Sequence, residues 1–343
     1  MQYALLGNTG LIVSRLAFGA MTFSDTNALG IAPTKGSAAD AIVGQALDAG
    51  INFFDTADVY AYGESEEILG KALAPHRDDV VIATKVAGRV GKPLVQAGLN
   101  RRHIGWSIDQ SLRRLGTDWV DVYIVHTEDP NTPLEETLEA LDSVVRSGKA
   151  RYIGFSNWSA WKVAAALELQ KANGWARFTH GQMCYSLLAR DIERDMIPAM
   201  TQYGLGLTAW SPLASGFLSG KYTRETLSDP DNRYGKIDFI PFDKEAGFAL
   251  VEELRGIAEA QGASVAQVAL AWLLAKPALT SLLVGASKPS QLTDNLGALD
   301  VKLDEATITR LDAATAPSRL YPHWHWDMFS DKAAADALGA RRR

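Results

Sequence analysis

The sequence predicts an α/β fold in the form of a (β/α)8 TIM barrel, and two observations carry this prediction. First, short apolar runs alternate with longer helical patterns, and eight such runs can be counted. Second, the runs are apolar nearly throughout, as expected for strands of a parallel sheet that is buried on both faces. Predicted strands lie at 16–20, 51–54, 80–84, 119–125, 151–155, 178–182, 206–210 and 280–284.

Helical patterns fill the connections between these strands. In the segment 65–74, apolar residues at positions 68, 69, 72 and 73 predict a face turned toward the barrel. On the same helix, Glu66, Glu67 and Lys71 are expected to face solvent. Predicted helices lie at 38–49, 65–74, 100–115, 134–147, 159–173, 191–203, 244–261 and 264–275, with further helices at 289–297 and 304–315.

Three segments fall outside the repeating pattern. Residues 1–14 hold two short strands around a glycine-containing turn, which predicts an N-terminal β-hairpin. Residues 211–243 form a long connection after the seventh barrel strand, and a loop of that length is usually functional or disordered. Residues 317–343 form an aromatic C-terminal tail, which we expect to fold back over the protein because exposed aromatic rings are unfavourable. None of these segments has the character of an interdomain linker, so residues 1–343 are predicted to form a single domain.

Composition and charge exclude several classes of function. The chain has 343 residues, of which 47% are hydrophobic, and a formal net charge of −6, so nothing favours a nucleic-acid partner. The lone Cys184 allows no intrachain disulfide, which fits a reducing compartment. The chain shows no signal-peptide pattern and no apolar stretch of about 18 residues, so we expect a cytoplasmic protein that does not span a membrane. The oligomeric state is left open.

Ionisable residues stand at the ends of three consecutive predicted strands. Asp55 follows the run 51–54, Lys85 follows 80–84, and His126 follows 119–125, while Tyr60 lies on the loop after Asp55. Active sites of parallel barrels lie at the carboxyl ends of the strands, and neighbouring strands are only about 4.8 Å apart. The sequence therefore predicts one shared site for these four side chains.

The four residue types favour proton transfer to an oxygen atom. A phenol has a pKa of about 10, and a neighbouring ammonium can lower that pKa by about 1–3 units. Asp55 would hold Lys85 charged and in place, and His126 could orient a carbonyl oxygen. With no obvious nucleophile and no metal-ligand set, this arrangement suits hydride delivery from a cofactor to a carbonyl group. The alternative is a buried Asp55–Lys85 salt bridge beside an unremarkable histidine and tyrosine.

Other motifs give weaker signals. The chain has no GxGxxG fingerprint, and residues 216–221 depart from a P-loop because three residues, not four, separate the glycines and Tyr222 replaces the Ser or Thr. His323 and His325 could bind a metal from one face of an extended segment, but packing within an aromatic lid is the favoured interpretation. We therefore predict no metal site.

Nearly the whole chain resembles the aldo-keto reductase superfamily. The resemblance is carried by GINFFDTADVYAYGESEEILGKAL at 50–73, ATK at 83–85, VH at 125–126, LGNTGLIVSRLAFGAMTF at 6–23, GKARYIGFSNW at 148–158, AWSPLASGFLSGKY at 209–222 and GASKPSQLTDN at 285–295. The spacing from Asp55 to the segment 66–70 is closer to the branch that contains potassium-channel beta subunits and bacterial aryl-alcohol-type reductases. Channel-type members tend to carry Asn where this chain has His126, so the complete set of four favours a working catalyst.

This resemblance implies a barrel oxidoreductase that binds NADPH without a Rossmann fold. It assigns Tyr60 as the general acid, Asp55 and Lys85 as its tuning pair, and His126 as the residue that orients the substrate. Trp210 corresponds to the aromatic residue that stacks on the nicotinamide ring. The other cofactor-binding residues implied by the resemblance are Gly19, Ala20, Met21 and Asp55 near the first two strands; Ser156, Asn157 and Gln182 at the carboxamide; Ser211, Pro212, Leu213, Gly216 and Lys221 at the pyrophosphate; and Gly285, Ser287, Lys288, Gln291 and Asn295 at the adenosine end.

The sequence also indicates which cofactor and which class of substrate are preferred. Lys288 and the start of the helix near 289 suit a 2′-phosphate, so NADPH is favoured over NADH. Many family members place an aromatic residue after the histidine, whereas Thr127 and Glu128 follow His126 here. The candidate wall of the substrate pocket is aromatic, which suggests aryl aldehydes or bulky ketones; it comprises Phe23, Tyr62, Trp158, Tyr321, Trp324 and Trp326.

Three functions remain open from the sequence. The leading hypothesis is reversible, NADPH-dependent reduction of aldehydes and ketones to alcohols. The second is an NADPH-binding, redox-sensing regulatory subunit with slow turnover. A third, a metal-dependent barrel hydrolase or isomerase, lacks a cluster of metal ligands in the sequence.

Overall fold

Eight parallel strands close into a barrel in the computed structural model, which describes residues 1–26, 33–229, 232–236 and 238–337. The strands follow one another around the barrel in chain order, and the last pairs with the first. The (β/α)8 prediction is therefore confirmed. Two short strands form the hairpin, β1 Tyr3–Leu5 and β2 Ile12–Ser14, and the barrel strands are β3 Leu16–Gly19, β4 Phe53–Asp55, β5 Val81–Val86, β6 Val120–Val125, β7 Ala150–Ser156, β8 Phe178–Cys184, β9 Gly206–Trp210 and β10 Leu279–Val284.

Helices follow the barrel strands and cover the outside of the barrel. The helices are α1 Gly36–Asp48, α2 Glu64–Leu73, α3 Arg101–Leu115, α4 Leu134–Arg146, α5 Ala160–Asn173, α6 Met196–Tyr203, α7 Arg233–Lys236, α8 Lys244–Gln261, α9 Val265–Leu274, α10 Pro289–Leu296, α11 Glu305–Ala314, α12 His323–Phe329 and α13 Lys332–Ala337. All ten predicted helices are present with ends shifted by a few residues, and α7, α12 and α13 were not predicted.

Two predicted boundaries differ from the structure for local reasons. The helix predicted at 191–203 begins only at Met196, which places Pro198 in the first turn, where a missing backbone N–H is tolerated. The strand predicted at 51–54 begins at Phe53. The side chain of Asn52 instead binds the hairpin: its Oδ1 accepts a hydrogen bond from the Ser14 backbone N–H (2.7 Å), and its Nδ2 donates one to the carbonyl of Ile12 (3.0 Å).

The first turn of α2 departs from the simple inward-outward pattern. Glu67 and Lys71 are exposed as predicted, but Glu66 is 0% exposed, so the prediction that it faces solvent was wrong. Its carboxylate lies between α2, β5 and α3, where Thr84 and Arg114 supply hydrogen bonds that replace water. A buried carboxylate therefore lies directly behind the strand that carries Lys85.

The hairpin closes one end of the barrel and leaves the other end for the site. Leu6 and Val13 are fully buried in a cluster that includes Ala17, Phe53 and Ile124 of the barrel strands. A second, larger cluster lies between the strands and the surrounding helices. Because the hairpin fills the amino-terminal end, the carboxyl ends of the strands form the accessible rim.

The C-terminal tail does not cover its aromatic rings as expected. Tyr321, Trp324 and Trp326 are 73%, 42% and 58% exposed, and positions 338–343 of the predicted tail lie outside the described residues. His323 is the buried member of α12, with Nε2 3.4 Å from Oδ1 of Asp195 at the start of α6. A short helix with aromatic residues on every side can bury only one face against the protein, so the remaining rings stay exposed.

No single helix in the described ranges is both long and apolar enough to cross a membrane. Helices α8 and α9 satisfy the length and composition criteria only as a pair, and they meet at a bend of 93°.

Candidate active site

The four side chains predicted to share a site meet at the rim of the barrel. Asp55 is the last residue of β4, and His126 follows β6 directly. Lys85 is the penultimate residue of β5, which continues to Val86, so the strand is longer than predicted. Tyr60 opens a short 3-10 turn at Tyr60–Gly63, between β4 and α2.

The ammonium group of Lys85 is buried and uses its full donor capacity. It donates to Oδ1 of Asp55 (2.5 Å), to the backbone carbonyl of Thr56 (2.8 Å) and to the hydroxyl oxygen of Tyr60 (3.3 Å). An ammonium has three N–H groups and accepts no hydrogen bond. The Tyr60 oxygen must therefore be the acceptor in this contact.

The proton of the Tyr60 hydroxyl is left for another partner. Tyr60 is half-buried, and the part of the chain that the structure describes supplies no acceptor for its O–H. The turn that follows is strained, since Ala61 and Tyr62 both adopt left-handed conformations with φ of 49° and 57°. Gly63 continues the turn with φ of 99°, and a Cβ there would lie 2.5 Å from Cδ of Arg114. This sharp turn directs the phenol over the rim.

Gln182 fixes the second oxygen of Asp55, a contact the sequence did not predict. Its Nε2 atom donates to Oδ2 of Asp55 (2.9 Å) from the carboxyl end of β8. Both oxygens of the buried carboxylate are therefore satisfied, one by an ammonium and one by an amide. No local sequence signal could find this contact, because the two residues lie 127 positions apart.

Burial is the largest influence on the pKa values of Tyr60, Asp55 and Lys85. Burial raises the pKa of Tyr60. The Lys85 ammonium lowers this pKa, in the predicted direction, but offsets only part of the effect of burial, so the net pKa is raised in the protein alone. Burial also raises the pKa of Asp55, against the opposing charge and hydrogen bond of Lys85. Burial disfavours the charged form of Lys85, but the interactions with Asp55 and Tyr60 together outweigh it, and the pKa of the ammonium is raised. Lys85 therefore stays charged.

His126 is a neutral imidazole beside the phenol. Burial, with a smaller contribution from the Lys85 charge, lowers its pKa to about 3. Its ring meets the Tyr60 ring edge to face, with centroids 5.6 Å apart, and its backbone N–H donates to the carbonyl of Val86 (2.8 Å). A neutral imidazole has one N–H donor, which can bind a carbonyl oxygen without adding charge to the site.

A hydrogen-bonded chain links the ends of β6, β7, β8 and β9. Asn157, in a left-handed conformation, donates from Nδ2 to the carbonyl of His126 (3.0 Å) and to Oγ of Ser156 (2.9 Å). Ser156 donates in turn to the carbonyl of Gln182 (2.6 Å), and Nε1 of Trp210 donates to Oδ1 of Asn157 (3.1 Å). Asn157 is exposed, whereas Ser156 and Gln182 are buried, so Asn157 presents the accessible amide of this group.

The loop after β9 turns back beside Trp210. Left-handed conformations at Ser211, Ala214, Ser215 and Gly216 coil its first part tightly. Pro212 and Leu213 pack inward, and Nζ of Lys221 comes within 3.8 Å of a Cβ built on Gly216. Farther along, the Phe239 ring lies against the Trp210 ring with centroids 5.9 Å apart, a contact that the sequence did not predict. Positions 230, 231 and 237 of the predicted loop 211–243 lie outside the described residues.

The remaining predicted cofactor residues lie where β3 meets β10. Gly19 and Gly285 face each other, since a Cβ on Gly285 would lie 3.8 Å from the carbonyl oxygen of Gly19. The backbone N–H of Ala20 donates to the carbonyl of Asp55 (2.8 Å), and Met21 is half-buried beside it. Four others lie in or next to α10: Ser287 donates its backbone N–H to Oε1 of Gln291 (2.8 Å), Asn295 donates to the carbonyl of Gly285 (3.4 Å), and Lys288 is the exposed N-cap residue.

The predicted aromatic wall of the substrate pocket divides into two groups. Phe23 and Trp158 are buried in the main core, where Phe23 packs on Phe18 and Trp158 packs on Phe178, so burial leaves them no surface for a substrate. Tyr62, in contrast, is 79% exposed two residues after Tyr60. The rings of Tyr321, Trp324 and Trp326 pack within the tail, where Tyr321 meets Trp324 and His323 meets Trp326.

Glu128 holds the start of α5 instead of facing the rim. Its Oε1 accepts hydrogen bonds from the backbone N–H (2.6 Å) and the hydroxyl (2.7 Å) of Ser159, and Lys162 donates to Oε2 (3.3 Å). Ser159 is the N-cap residue of α5 but does not cap the helix with its own side chain. Glu128 therefore supplies the cap from a neighbouring loop.

Replacing Glu128 by Ala is expected to lower the free energy of unfolding by about 1–2 kcal/mol, because a cap and an ion pair are lost. Burial alone would raise the pKa of Glu128, but the bonds from Ser159 and Lys162 outweigh it and lower the pKa. The stabilisation is therefore complete above the unfolded pKa of about 4.3 and is lost as pH falls through the lower folded value. Urea denaturation at pH 7 and pH 3 measures this, with the exposed Glu259→Ala as a control. An equal loss in both variants would contradict the capping role.

The comparisons with known proteins agree with this geometry. Residues 15–316 match the aldo/keto reductase family. A probable voltage-gated potassium channel subunit beta of Oryza sativa is 39% identical over 313 residues, which cover 88% of this chain and 92% of the relative. Versiconal hemiacetal acetate reductase of Aspergillus parasiticus is 35% identical, with coverage of 94% and 99%. A putative aryl-alcohol dehydrogenase of Schizosaccharomyces pombe is 34% identical, with coverage of 92% and 96%.

The fold and these relatives define a barrel oxidoreductase whose class acts on small carbonyl compounds with a nicotinamide dinucleotide. The chain belongs to the aldo/keto reductase family. No group of three or more metal-ligating side chains is found among the described residues.

Proposed function

We propose that this protein is an NADPH-dependent carbonyl reductase that converts aldehydes or ketones to alcohols and runs in reverse with alcohols. One observation carries the proposal: Lys85 donates its third hydrogen bond to the Tyr60 oxygen, so the phenol proton is free to be given away. Tyr60 acts as the general acid, and the Asp55–Lys85 pair holds positive charge where negative charge develops on the phenol.

The side chains around the rim fit a phosphorylated dinucleotide. Two exposed ammonium groups, Lys221 and Lys288, pair with no carboxylate among the described residues, and Lys288 stands at the start of α10, where anions are favoured. Asn157 presents an amide to the rim, and Trp210 offers a half-buried ring beside it. NADPH, when bound, supplies the 4-pro-R hydride that is added to the carbonyl carbon.

Residues of the chain orient the carbonyl group and supply the proton. His126 donates one hydrogen bond to the carbonyl oxygen and orients it toward Tyr60. Tyr60 gives its proton to that oxygen as the carbonyl carbon is reduced, and Lys85 stabilises the phenolate that is left. Solvent later returns the proton to Tyr60. Gln182 and Thr56 act indirectly, because they hold Asp55 and Lys85 in position.

Aryl aldehydes or bulky ketones are the proposed substrates. The support is the exposed ring of Tyr62, within the turn Tyr60–Gly63, and the exposed rings of Tyr321, Trp324 and Trp326 in the tail. Glu128, the second residue after His126, is turned away to cap α5, so it adds no carboxylate to this surface. We also propose a cytoplasmic location. Burial raises the pKa of the Cys184 thiol to about 12, which keeps this thiol unreactive.

A redox-sensing regulatory subunit is the second candidate. The observation that favours it is the 39% identity to a probable channel beta subunit. Steady-state oxidation of NADPH at 340 nm across a panel of aryl aldehydes, bulky ketones and small sugar aldehydes separates the two. Turnover of at least one compound at about 1 per second or faster supports the reductase. A protein that binds NADPH tightly but turns over no compound appreciably would favour the sensor.

Replacing Lys288 by Ala is expected to weaken NADPH binding about tenfold, because one charge-assisted contact to the 2′-phosphate is lost. NADH binding should stay within about twofold, since NADH lacks that phosphate. Quenching of tryptophan fluorescence measures both dissociation constants, and the exposed Lys302→Ala is the matched control. If the ratio of the dissociation constants for NADPH and NADH is unchanged in Lys288→Ala, Lys288 does not contact the 2′-phosphate.

A further inference from the structure

Two acidic side chains lie buried behind the rim, and they differ in how they are paired. Asp58 is 1% exposed and Glu66 is 0% exposed. Glu66 is satisfied on both oxygens, since Thr84 donates to Oε1 (2.5 Å) and Arg114 donates to Oε2 (2.6 Å). Asp58 accepts a side-chain hydrogen bond from Oγ of Ser107 to Oδ2 (2.7 Å), and its Oδ1 has no hydrogen-bond partner in the described ranges.

The pairing leaves Asp58 without its own counter-charge. The guanidinium of Arg114 forms its salt bridge with Glu66, so it does not pair directly with the neighbouring carboxyl of Asp58. An ionised carboxylate that is buried with an unsatisfied oxygen is unfavourable, and protonation relieves it. Asp58 is therefore a buried acid that holds its proton far above the ordinary range of an aspartic acid.

The groups around Asp58 agree with this conclusion. The pKa of Asp58 is raised to about 7 overall. Burial makes the largest contribution and Glu66 adds to it, whereas the hydrogen bond from Ser107, the Arg114 charge and the Val59 backbone N–H lower the pKa. The neighbouring ionisable groups on other elements are Glu66 of α2, Arg114 of α3 and Tyr123 of β6. Within the same loop, the neighbour is Tyr60.

Asp58 is placed to influence the proposed acid. It lies two residues before Tyr60, and its backbone N–H donates to the carbonyl of Lys85 (3.3 Å), so it ties the loop that carries the phenol to the strand that carries the ammonium. The negative charge of an ionised Asp58 raises the pKa of Tyr60, in addition to the larger effects of burial, Lys85 and Asp55. The charge on Asp58 therefore reaches the phenol without Asp58 touching a substrate.

We propose that Asp58 is a positioning residue that acts through Tyr60: its buried carboxyl, with one oxygen left unpaired, gains and loses a proton, and its anionic form makes Tyr60 a weaker proton donor. This inference rests on the proposed function. Below neutral pH, Asp58 is uncharged and Tyr60 donates its proton more readily. Above neutral pH, the added negative charge holds the proton on Tyr60 and slows reduction before Tyr60 itself titrates.

The Asp58 proton also makes the stability of the fold depend on pH. The folded protein keeps the Asp58 proton up to about pH 7, whereas the unfolded chain loses it near pH 4. Between these values the folded state binds the extra proton, so a rise in pH destabilises the fold. In Asp58→Asn this loss is absent. The Tm of the variant should exceed that of the parent at pH 8 and approach the parent's value at pH 5.

The test measures kcat from pH 5 to pH 9 for a carbonyl substrate that the parent reduces, in the parent, Asp58→Asn and Ser107→Ala. The parent should show a fall in reductive kcat centred near pH 7, which Asp58→Asn should lack. In alcohol oxidation, where the phenolate accepts a proton, the rising limb of Asp58→Asn should lie about half a unit or more lower than that of the parent. Ser107→Ala should move the neutral transition to higher pH, because the bond that favours the anion is gone; this variant also serves if Asp58→Asn folds poorly.

The outcomes separate the two proposals. A parent that reduces no carbonyl substrate overturns the proposed function, and the inference falls with it. A parent that turns over while Asp58→Asn keeps the same pH profile overturns the inference alone. A difference in Tm between Asp58→Asn and the parent that does not change between pH 5 and pH 8 also overturns the inference, independently of any activity.

Discussion

Replacing Tyr60 by Phe is expected to reduce kcat by about a thousandfold or more while leaving NADPH binding within about twofold, since a positioned acid contributes about 10²–10⁴ to the rate. The phenylalanine ring can keep the edge-to-face contact with His126 and the contact with Lys85, whose Nζ lies 4.8 Å from the ring centroid. Only the hydroxyl is lost, and with it the proton that Lys85 leaves free.

Stopped-flow mixing separates binding from chemistry in this variant. Quenching of tryptophan fluorescence reports NADPH binding, and the absorbance at 340 nm reports reduction of the carbonyl substrate. Tyr3→Phe is a matched control, because Tyr3 lies on the hairpin at the opposite end and its hydroxyl donates only to the carbonyl of Gly50 (3.0 Å). A Tyr60→Phe variant whose kcat stays within a few-fold of the parent would show that another group supplies the proton.

Replacing Lys85 by Met is expected to lower the free energy of unfolding by about 3–5 kcal/mol at pH 7, because Asp55 would keep a buried charge without its partner. Activity should also be lost, since the positive charge beside the phenol disappears. The destabilisation should shrink as pH falls, because the variant raises the pKa of Asp55 further and protonation removes the buried charge. Urea denaturation at pH 7 and pH 5 measures both effects.

A double variant separates stability from catalysis at this pair. In Lys85→Met with Asp55→Asn, neither side chain is charged, and Gln182 can still bond the remaining amide. Much of the lost stability should return, while activity should not, because the ammonium that stabilises the phenolate is still missing. A Lys85→Met protein as stable as the parent would show that the buried ion pair contributes little to the fold.

The barrel and the four rim residues were predictable because the sequence carries them locally. Each barrel strand is a short apolar run, and the carboxyl ends of parallel strands must share one rim. An ionisable residue at the end of such a run, such as Asp55 after Phe53 and Phe54, is therefore placed by the topology alone. Distances of 2.5 Å and 3.3 Å from Lys85 to Asp55 and Tyr60 agree with that expectation.

The layer behind the rim was not predictable, because its contacts join distant parts of the chain. The helical pattern predicts that Glu66 faces solvent, yet Arg114 and Thr84 donate hydrogen bonds to it from two other elements. The Thr56 carbonyl that accepts from Lys85 has no side-chain signal at all. The balance of burial against one ammonium, which sets the direction of the Tyr60 pKa shift, requires the packed structure. The prediction that the tail covers its aromatic rings failed because composition shows that the rings are present but not which surface they contact.

The most direct measurement of the central claim follows an isotope from the cofactor into the product. The parent protein is given NADPH carrying deuterium at the 4-pro-R position, or at the 4-pro-S position, together with its best carbonyl substrate, and the alcohol is analysed by NMR. The account predicts deuterium on the carbinol carbon from the 4-pro-R label only, at a rate that falls about a thousandfold in Tyr60→Phe. An alcohol without deuterium from either label, or undiminished transfer in Tyr60→Phe, would contradict it.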